Sequence, residues 1–251
     1  MTNAHKHGAA DIGTLLGHVT KPKFTKEEEE AMKGPQWPDV FLICCIDSRF
    51  QPDRALDYGP GVALEYRPIA AVIPPSSDAD PALLSRMAFR RLKDVKNIVI
   101  IAHSDCGGAQ ASITVPNPDL KNGGDLDLVA HETHRTGLDI PKLAPQFLKA
   151  ANGDVKEAGN LLAKETSVQS LKNILGYKGK GAHATIEDEM KAGEVNVILL
   201  YYDLEKQTAE KYDLAKGKWE PVEAFNDHKE TPAPKALTPK AIPSGPPKLA
   251  A

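Results

Sequence analysis

The chain has 251 residues, of which 41% are hydrophobic and 26% are charged, and its formal net charge at pH 7 is −3. These values are typical of a globular protein, and they give no reason to expect nucleic acid or an anionic membrane as a partner. No apolar run approaches the about eighteen residues of a membrane-spanning helix, and we expect no signal peptide. Three cysteines, two of them adjacent, argue against a disulfide framework and favour a cytoplasmic location.

The sequence divides into three predicted segments. Residues 1–23 form an N-terminal helical arm, and residues 24–225 form one domain. Residues 226–251 contain recurrent prolines among Ala, Lys, Thr and Ser, and too few apolar residues to repay the entropy of ordering. We therefore predict a disordered C-terminal tail.

The first half of the domain contains clear start and stop signals. Thr25 and Glu28 match the capping-box pattern and predict a helix that ends before Gly34-Pro35. The apolar run from Phe41 predicts a strand buried on both faces, and residues 62–66 predict a second strand. Asp80-Pro81 then begins a predicted helix.

The pattern of this helix and of the strands that follow predicts the fold class. Leu84, Met87 and Leu92 recur at helical spacing and predict its buried face. A strand–helix–strand order predicts a right-handed parallel crossover, which places strand 98–102 beside the first strand. Further predictions are a loop at 119–141, helices at 143–151 and 155–176, and a strand at 195–201 followed by a hairpin partner at 211–213. We predict an α/β fold, with a mostly parallel central β-sheet flanked by helices.

Polar side chains follow two of the predicted strands. Cys45, Asp47 and Arg49 alternate at the end of the first, so that a strand's period of two points all three the same way. His103 and Cys106 follow strand 98–102. Ligands of a parallel sheet gather beyond the carboxyl ends of its strands, so we expect the two groups to meet there.

These residue types predict a zinc site. Cys45, His103 and Cys106 supply three ligands, and the fourth position is open to Asp47 or to water. Three protein ligands with one exchangeable position describe a catalytic zinc rather than a structural one. A bidentate pair with Arg49 would hold Asp47 away from the metal, and breaking that pair would let the carboxylate close the site. Because two thiolates already cancel the zinc charge, we expect activity to rise on the alkaline side.

Together, the motifs Cys45-x-Asp47-x-Arg49 and His103-x-x-Cys106-Gly107-Gly108 resemble those of the β-class carbonic anhydrases. Gln36 stands nine residues before Cys45 (45 − 36 = 9), where the plant-type subclass keeps a substrate-binding glutamine. The resemblance covers residues 24–215 and identifies the central segment, 24–225, as a zinc domain of that kind.

The resemblance implies the reversible hydration of carbon dioxide to bicarbonate by zinc-bound hydroxide. In that reaction Asp47, paired with Arg49, handles the proton. Gln36 and the Gly107 N–H orient the bicarbonate. The family is dimeric or built from dimers, so the resemblance also implies a homodimer or a dimer-based oligomer.

Departures from the family pattern keep two alternatives open. Residues 67–70 read Arg-Pro-Ile-Ala where the family has Arg-Asn-Ala-Gly, which changes the expected shape of the pocket. One alternative is hydrolysis of carbonyl sulfide or carbon disulfide on the same fold, and the other is a catalytically inactive zinc-binding scaffold. His131, Glu132 and His134 superficially resemble a metal triplet, but we assign them a structural or surface role.

Overall fold

A computed structural model of the chain describes residues 24–222, and the predicted N-terminal arm and C-terminal tail lie outside these residues. Six strands and eight α-helices occur in the described part. The strands are β1 (Val40–Cys44), β2 (Ala63–Tyr66), β3 (Asn97–His103), β4 (Asn196–Asp203), β5 (Thr208–Asp213) and β6 (Lys218–Pro221). The helices are α1 (Lys26–Lys33), α2 (Pro52–Leu56), α3 (Pro81–Leu92), α4 (Gly107–Thr114), α5 (Asp125–His134), α6 (Ile140–Ala150), α7 (Val155–Leu175) and α8 (Ile186–Lys191).

One mostly parallel sheet organises the fold. Its strand order is β2-β1-β3-β4-β5-β6, in which the first four strands are parallel and β5 and β6 pair antiparallel. Strands β1 and β3 are direct neighbours, with Ile43 opposite Ile100. The predicted α/β class, the parallel placement of β3 beside β1 and the hairpin after β4 are therefore confirmed. Strand β6 was not predicted.

The two faces of β1 and β3 are covered differently. Phe41 and Ile98 lie in the largest apolar cluster, with residues of α3 and α7. Leu42, Cys44 and Val99 face the other way, where Phe50 and the region around α2 cover them. Successive strand residues alternate between faces, so each strand is buried on both, as its continuous apolar run predicts.

Strand β1 ends earlier than its apolar run suggests. It stops at Cys44, and Ser48 and Arg49 form a turn. The Arg67 guanidinium donates to the backbone carbonyls of Cys45, Asp47 and Phe50 at 2.8–3.1 Å. Because those carbonyls bond to a side chain rather than to a neighbouring strand, the chain leaves the sheet. The prediction that the alternation of a strand orients Cys45, Asp47 and Arg49 is therefore wrong, because these residues follow the strand. They nevertheless lie close together, as predicted.

Two helical predictions also need correction. The predicted loop at 119–141 contains α5, whose buried inner residues include Ala130 and Thr133. Such small side chains give little apolar signal in the sequence. On α3, Met87 is buried, but Leu84 and Leu92 are 47% and 80% exposed. Within residues 24–222, no helix combines the length and apolarity that crossing a membrane requires.

Candidate metal centre

Three ligand side chains converge at the carboxyl edge of the sheet. Cys45 directly follows β1, His103 is the last residue of β3, and Cys106 is the N-cap of α4. All three are buried, and their ligand atoms lie within 4.8 Å of one another. The two Sγ atoms are 3.9 Å apart. The short β3–α4 connection and the register of β1 beside β3 thus assemble a compact set of two sulfurs and one nitrogen.

The imidazole of His103 is oriented towards this set. Its Nδ1 lies 2.8 Å from the Ser104 carbonyl, which can only accept a hydrogen bond, so Nδ1 carries the proton. The Phe50 ring stacks on the imidazole at 6.0 Å between centroids. The Nε2 atom is buried and has no hydrogen-bond partner among the described residues. In its neutral form, His103 therefore directs a lone pair on Nε2 into the cluster.

The thiols influence each other's ionisation strongly. The pKa of Cys45 is lowered to about 4, mainly by the hydrogen bond from Cys106, with the His103 imidazole also lowering it and burial opposing both. That same bond, with burial and the Cys45 charge, raises the pKa of Cys106. Burial alone would lower the pKa of His103, but the Cys45 thiolate raises it. One thiolate forms readily here, and the second needs a compensating positive charge.

This donor set fits a divalent metal ion. A cation would neutralise both thiolates and occupy the direction left open at His103 Nε2, and sulfur with imidazole nitrogen suits zinc. Cys45 Sγ also accepts hydrogen bonds from the backbone N–H of Ala70 at 3.3 Å and of Asp47 at 3.5 Å. Contacts of this kind orient ligands and tune the metal. Neither Ala70 nor Arg67 was predicted as a site residue, because Ala70 contacts the cluster through its backbone N–H and Arg67 bonds to backbone carbonyls.

Asp47 and Arg49 form the expected bidentate pair. Arg49 Nε donates to Asp47 Oδ1 at 3.0 Å, and Nη2 donates to Oδ2 at 2.7 Å. The pair lowers the pKa of the Asp47 carboxyl. Asp47 Oδ2 lies 4.0 Å from His103 Nε2, so the carboxylate borders the cluster.

The other predicted site residues lie apart from this set. Gly107 is the exposed first residue of α4, next to Cys106. Gln36 is exposed and precedes β1, whereas Cys45 follows it. Five strand residues at roughly 3.3 Å each separate these ends by roughly 16 Å. Gln36 therefore does not reach the cluster of its own chain.

The histidines of α5 form no part of the cluster. His131 and His134 stack on each other with centroids 6.3 Å apart. Within residues 24–222, the group of metal-ligating side chains that meets in space is Cys45, His103 and Cys106.

Known proteins resemble this chain in sequence. A family model described as "Carbonic anhydrase" matches residues 40–209. "Beta carbonic anhydrase 6, mitochondrial" of Arabidopsis thaliana is 30% identical over 193 residues, covering 76% of this chain and 62% of the relative. "Carbonic anhydrase" of Helicobacter pylori is 25% identical over 229 residues, covering 85% and 94%. The chain thus spans about three-fifths of the length of the plant relative.

Solved structures agree with the fold. The β-carbonic anhydrase CcaA is 19% identical with a TM-score of 0.69, covering 84% of this chain and 99% of that one. The β-carbonic anhydrase CafA of Aspergillus fumigatus is 26% identical with a TM-score of 0.57, covering 75% and 83%. At 19% identity the first likeness concerns the fold alone.

Proposed function

The chain belongs to the β-class carbonic anhydrase family, and on that premise we propose that it catalyses the zinc-dependent, reversible hydration of carbon dioxide to bicarbonate. The observation that carries the proposal is the buried cluster of Cys45, His103 and Cys106, in which one imidazole nitrogen has no hydrogen-bond partner within residues 24–222. When bound there, zinc would supply the Lewis acidity that makes water nucleophilic near neutral pH.

The residues around the cluster have distinct proposed roles. Asp47 Oδ2 lies on the cluster side of its carboxylate, and this position makes it the proposed acceptor of the proton that water loses as it attacks carbon dioxide. Arg49 holds that carboxylate through two hydrogen bonds. The N–H of Gly107, in the first turn of α4, is a donor for the bicarbonate oxygens because the first N–H groups of a helix have no partner within it.

Gln36 enters this proposal through a second copy of the chain. Its position before β1 keeps it from the cluster of its own chain, so a substrate-binding role requires a partner's glutamine. We therefore propose a homodimer or a dimer-based oligomer. A cytoplasmic location remains part of the proposal and is supported by three cysteines that are all free.

The two alternatives are not favoured. The family model and the two relatives described above are named carbonic anhydrases. An inactive scaffold would not require Asp47 and Arg49 to pair beside the ligand cluster.

Stopped-flow hydration of carbon dioxide by the zinc-loaded chain tests the proposal, with carbonyl sulfide hydrolysis measured in parallel. We expect efficient turnover of carbon dioxide, with a rate that rises between about pH 6 and pH 9. Faster turnover of carbonyl sulfide would support the hydrolase. Turnover of neither substrate by protein that contains zinc would support the scaffold.

A further inference from the structure

Arg49 is shared between two carboxylates. Besides its bonds to Asp47, its Nη1 donates to Asp105 Oδ2 at 2.6 Å, and its Nη2 donates to the Asp105 carbonyl at 2.7 Å. One N–H on Nε, one on Nη1 and two on Nη2 are therefore engaged, which is four of the five that a guanidinium carries. The guanidinium is thus fixed in position and in plane.

Asp105 is itself held from two helices. Its Oδ1 accepts a hydrogen bond from Gln110 Nε2 of α4 at 2.8 Å. Its backbone N–H donates to Asn160 Oδ1 of α7, also at 2.8 Å. Its φ of 57° is left-handed, a conformation that Asp adopts more readily than most residues. Asp105 therefore offers Arg49 a rigid anchor, whereas Asp47 lies in the loop after β1.

We propose that Asp105 is a positioning residue for Asp47: by anchoring the Arg49 guanidinium, it keeps the Asp47 carboxylate beside the ligand cluster and off the metal position. This inference rests on the proposed function, because it concerns the same site. Asp47 has two competing positive partners, the guanidinium and a metal held by the cluster. Its Oδ2 already lies 2.7 Å from Arg49 Nη2 and 4.0 Å from His103 Nε2. A shift of Arg49 would therefore change the balance between these two partners.

The pair matters through its position rather than through its stability. Arg49 is 50% exposed, and exposed ion pairs contribute little to the free energy of unfolding. A guanidinium held only by Asp47 would follow that carboxylate when it moves. A guanidinium held by Asp105 stays behind, and Asp47 can return to it.

Azide binding to the zinc-loaded protein, measured by isothermal titration calorimetry at one pH, tests the inference without using turnover. Azide needs the ligand position that Asp47 would block. If Asp105→Ala lets Asp47 occupy that position in nine molecules out of ten, the apparent Kd for azide rises about tenfold. We expect a smaller rise for Asp105→Asn, because the amide keeps an acceptor oxygen for Arg49.

An Asp47→Asn background separates positioning from general damage to the loop. With no carboxylate to compete with azide, adding Asp105→Ala should change the azide Kd less than about twofold. Glu205→Ala is the matched charge control, because Glu205 lines the same groove as Arg49 and Asp105, is 84% exposed and makes no hydrogen bond to Arg49. It should leave the azide Kd unchanged.

Two results would overturn the inference. One is an unchanged azide Kd in Asp105→Ala, and the other is an equal rise in both backgrounds. The azide titration remains informative if the wild-type protein binds zinc but does not hydrate carbon dioxide, so failure of the proposed function is a separate result.

Discussion

Two buried polar clusters in this fold differ in whether the charges of their own residues cancel. In the first, Arg90 of α3 meets Glu189 of α8. Both side chains are at most 3% exposed, and Arg90 Nη2 donates to both carboxylate oxygens at 3.0 Å. In the second, two thiols face an imidazole whose Nε2 has no partner in residues 24–222. The ion pair is electrically neutral by itself, whereas two ionised thiols and a lone pair need a cation.

This difference separates a structural cluster from a functional one. The charges of Arg90 and Glu189 cancel, and Arg90 Nη1 also donates to the Val95 carbonyl at 3.1 Å. Removing one partner from such a pair leaves the other charge buried without compensation, which lowers the free energy of unfolding. The cluster of Cys45, His103 and Cys106 instead needs a cation from outside the chain to balance its charge. Substitutions in the two clusters should therefore affect different measurements.

The largest expected effect is the loss of zinc in Cys106→Ser. A serine hydroxyl stays protonated and is a poor zinc ligand. If three ligands share an apparent binding free energy of about 10–16 kcal/mol, losing one costs roughly 3–5 kcal/mol, or at least about a hundredfold in affinity. Zinc per chain after dialysis and the affinity in competition with a chelator measure this effect, and hydration of carbon dioxide should fall with zinc content.

Cys44→Ser is the matched control for that substitution. Cys44 neighbours Cys45 in sequence but faces the opposite side of the sheet, where burial raises its pKa to about 12. This variant should keep its zinc while losing some stability, since a hydroxyl replaces a buried thiol. Retention of zinc by Cys106→Ser, or equal loss by both variants, would contradict the assignment of the ligands.

The next largest effect belongs to the ion pair. Glu189→Gln removes the charge that balances Arg90, and we expect the free energy of unfolding of the zinc-loaded protein in urea to fall by about 3–5 kcal/mol. Zinc content and turnover per folded molecule should not change, because neither residue contacts the ligand cluster.

Two further variants sharpen this result. Replacing both partners, in Arg90→Met with Glu189→Leu, should recover most of the loss, because the desolvated charges are then gone together. Lys191→Ala breaks the exposed pair with Glu187 on the same helix and should cost less than about 0.5 kcal/mol. A Glu189→Gln loss as small as that of Lys191→Ala would remove the distinction between the two clusters.

The two clusters also differed in how far the sequence predicted them. Cys45, His103 and Cys106 could be predicted because each follows an apolar run and because thiol and imidazole groups together are typical metal ligands. Arg90 and Glu189 are 99 positions apart (189 − 90 = 99), on α3 and on the six-residue α8. No local pattern signals such a pairing, and α8 is too short for a helical periodicity.

Within the site, the residues that were not predicted from the sequence act on the backbone or through tertiary contacts. Arg67 fixes the loop after β1 by bonding to its carbonyls, and Asp105 reaches Arg49 across 56 positions of the chain (105 − 49 = 56). The pairing of β1 with β3 could be predicted from their apolar runs. The point at which the chain leaves β1 could not, because it depends on the guanidinium of Arg67, which follows β2 in the sequence.

The smallest expected effect tests the contact that joins the ligand cluster to the rest of the fold. A Cβ at Gly108 would lie 2.5 Å from Ile69 Cγ2 and 3.3 Å from Ala70 Cβ. Because Cγ2 is bonded directly to the Ile69 Cβ, it can move aside only through a change of the χ1 rotamer or a shift of the segment that donates the Ala70 N–H to Cys45. We expect Gly108→Ala to lower the free energy of unfolding by about 1–3 kcal/mol.

Gly107→Ala is the control one residue away, because a Cβ there meets no atom within 4 Å and the N–H proposed to bind bicarbonate is kept. Its free energy of unfolding should change by less than about 0.5 kcal/mol. The Gly108 variant should also bind zinc more weakly than the Gly107 variant does, because displacing Ala70 removes a hydrogen bond to a ligand sulfur. Equal zinc affinity in two variants that differ in stability would mean that the Ala70 contact supports the fold without tuning the metal.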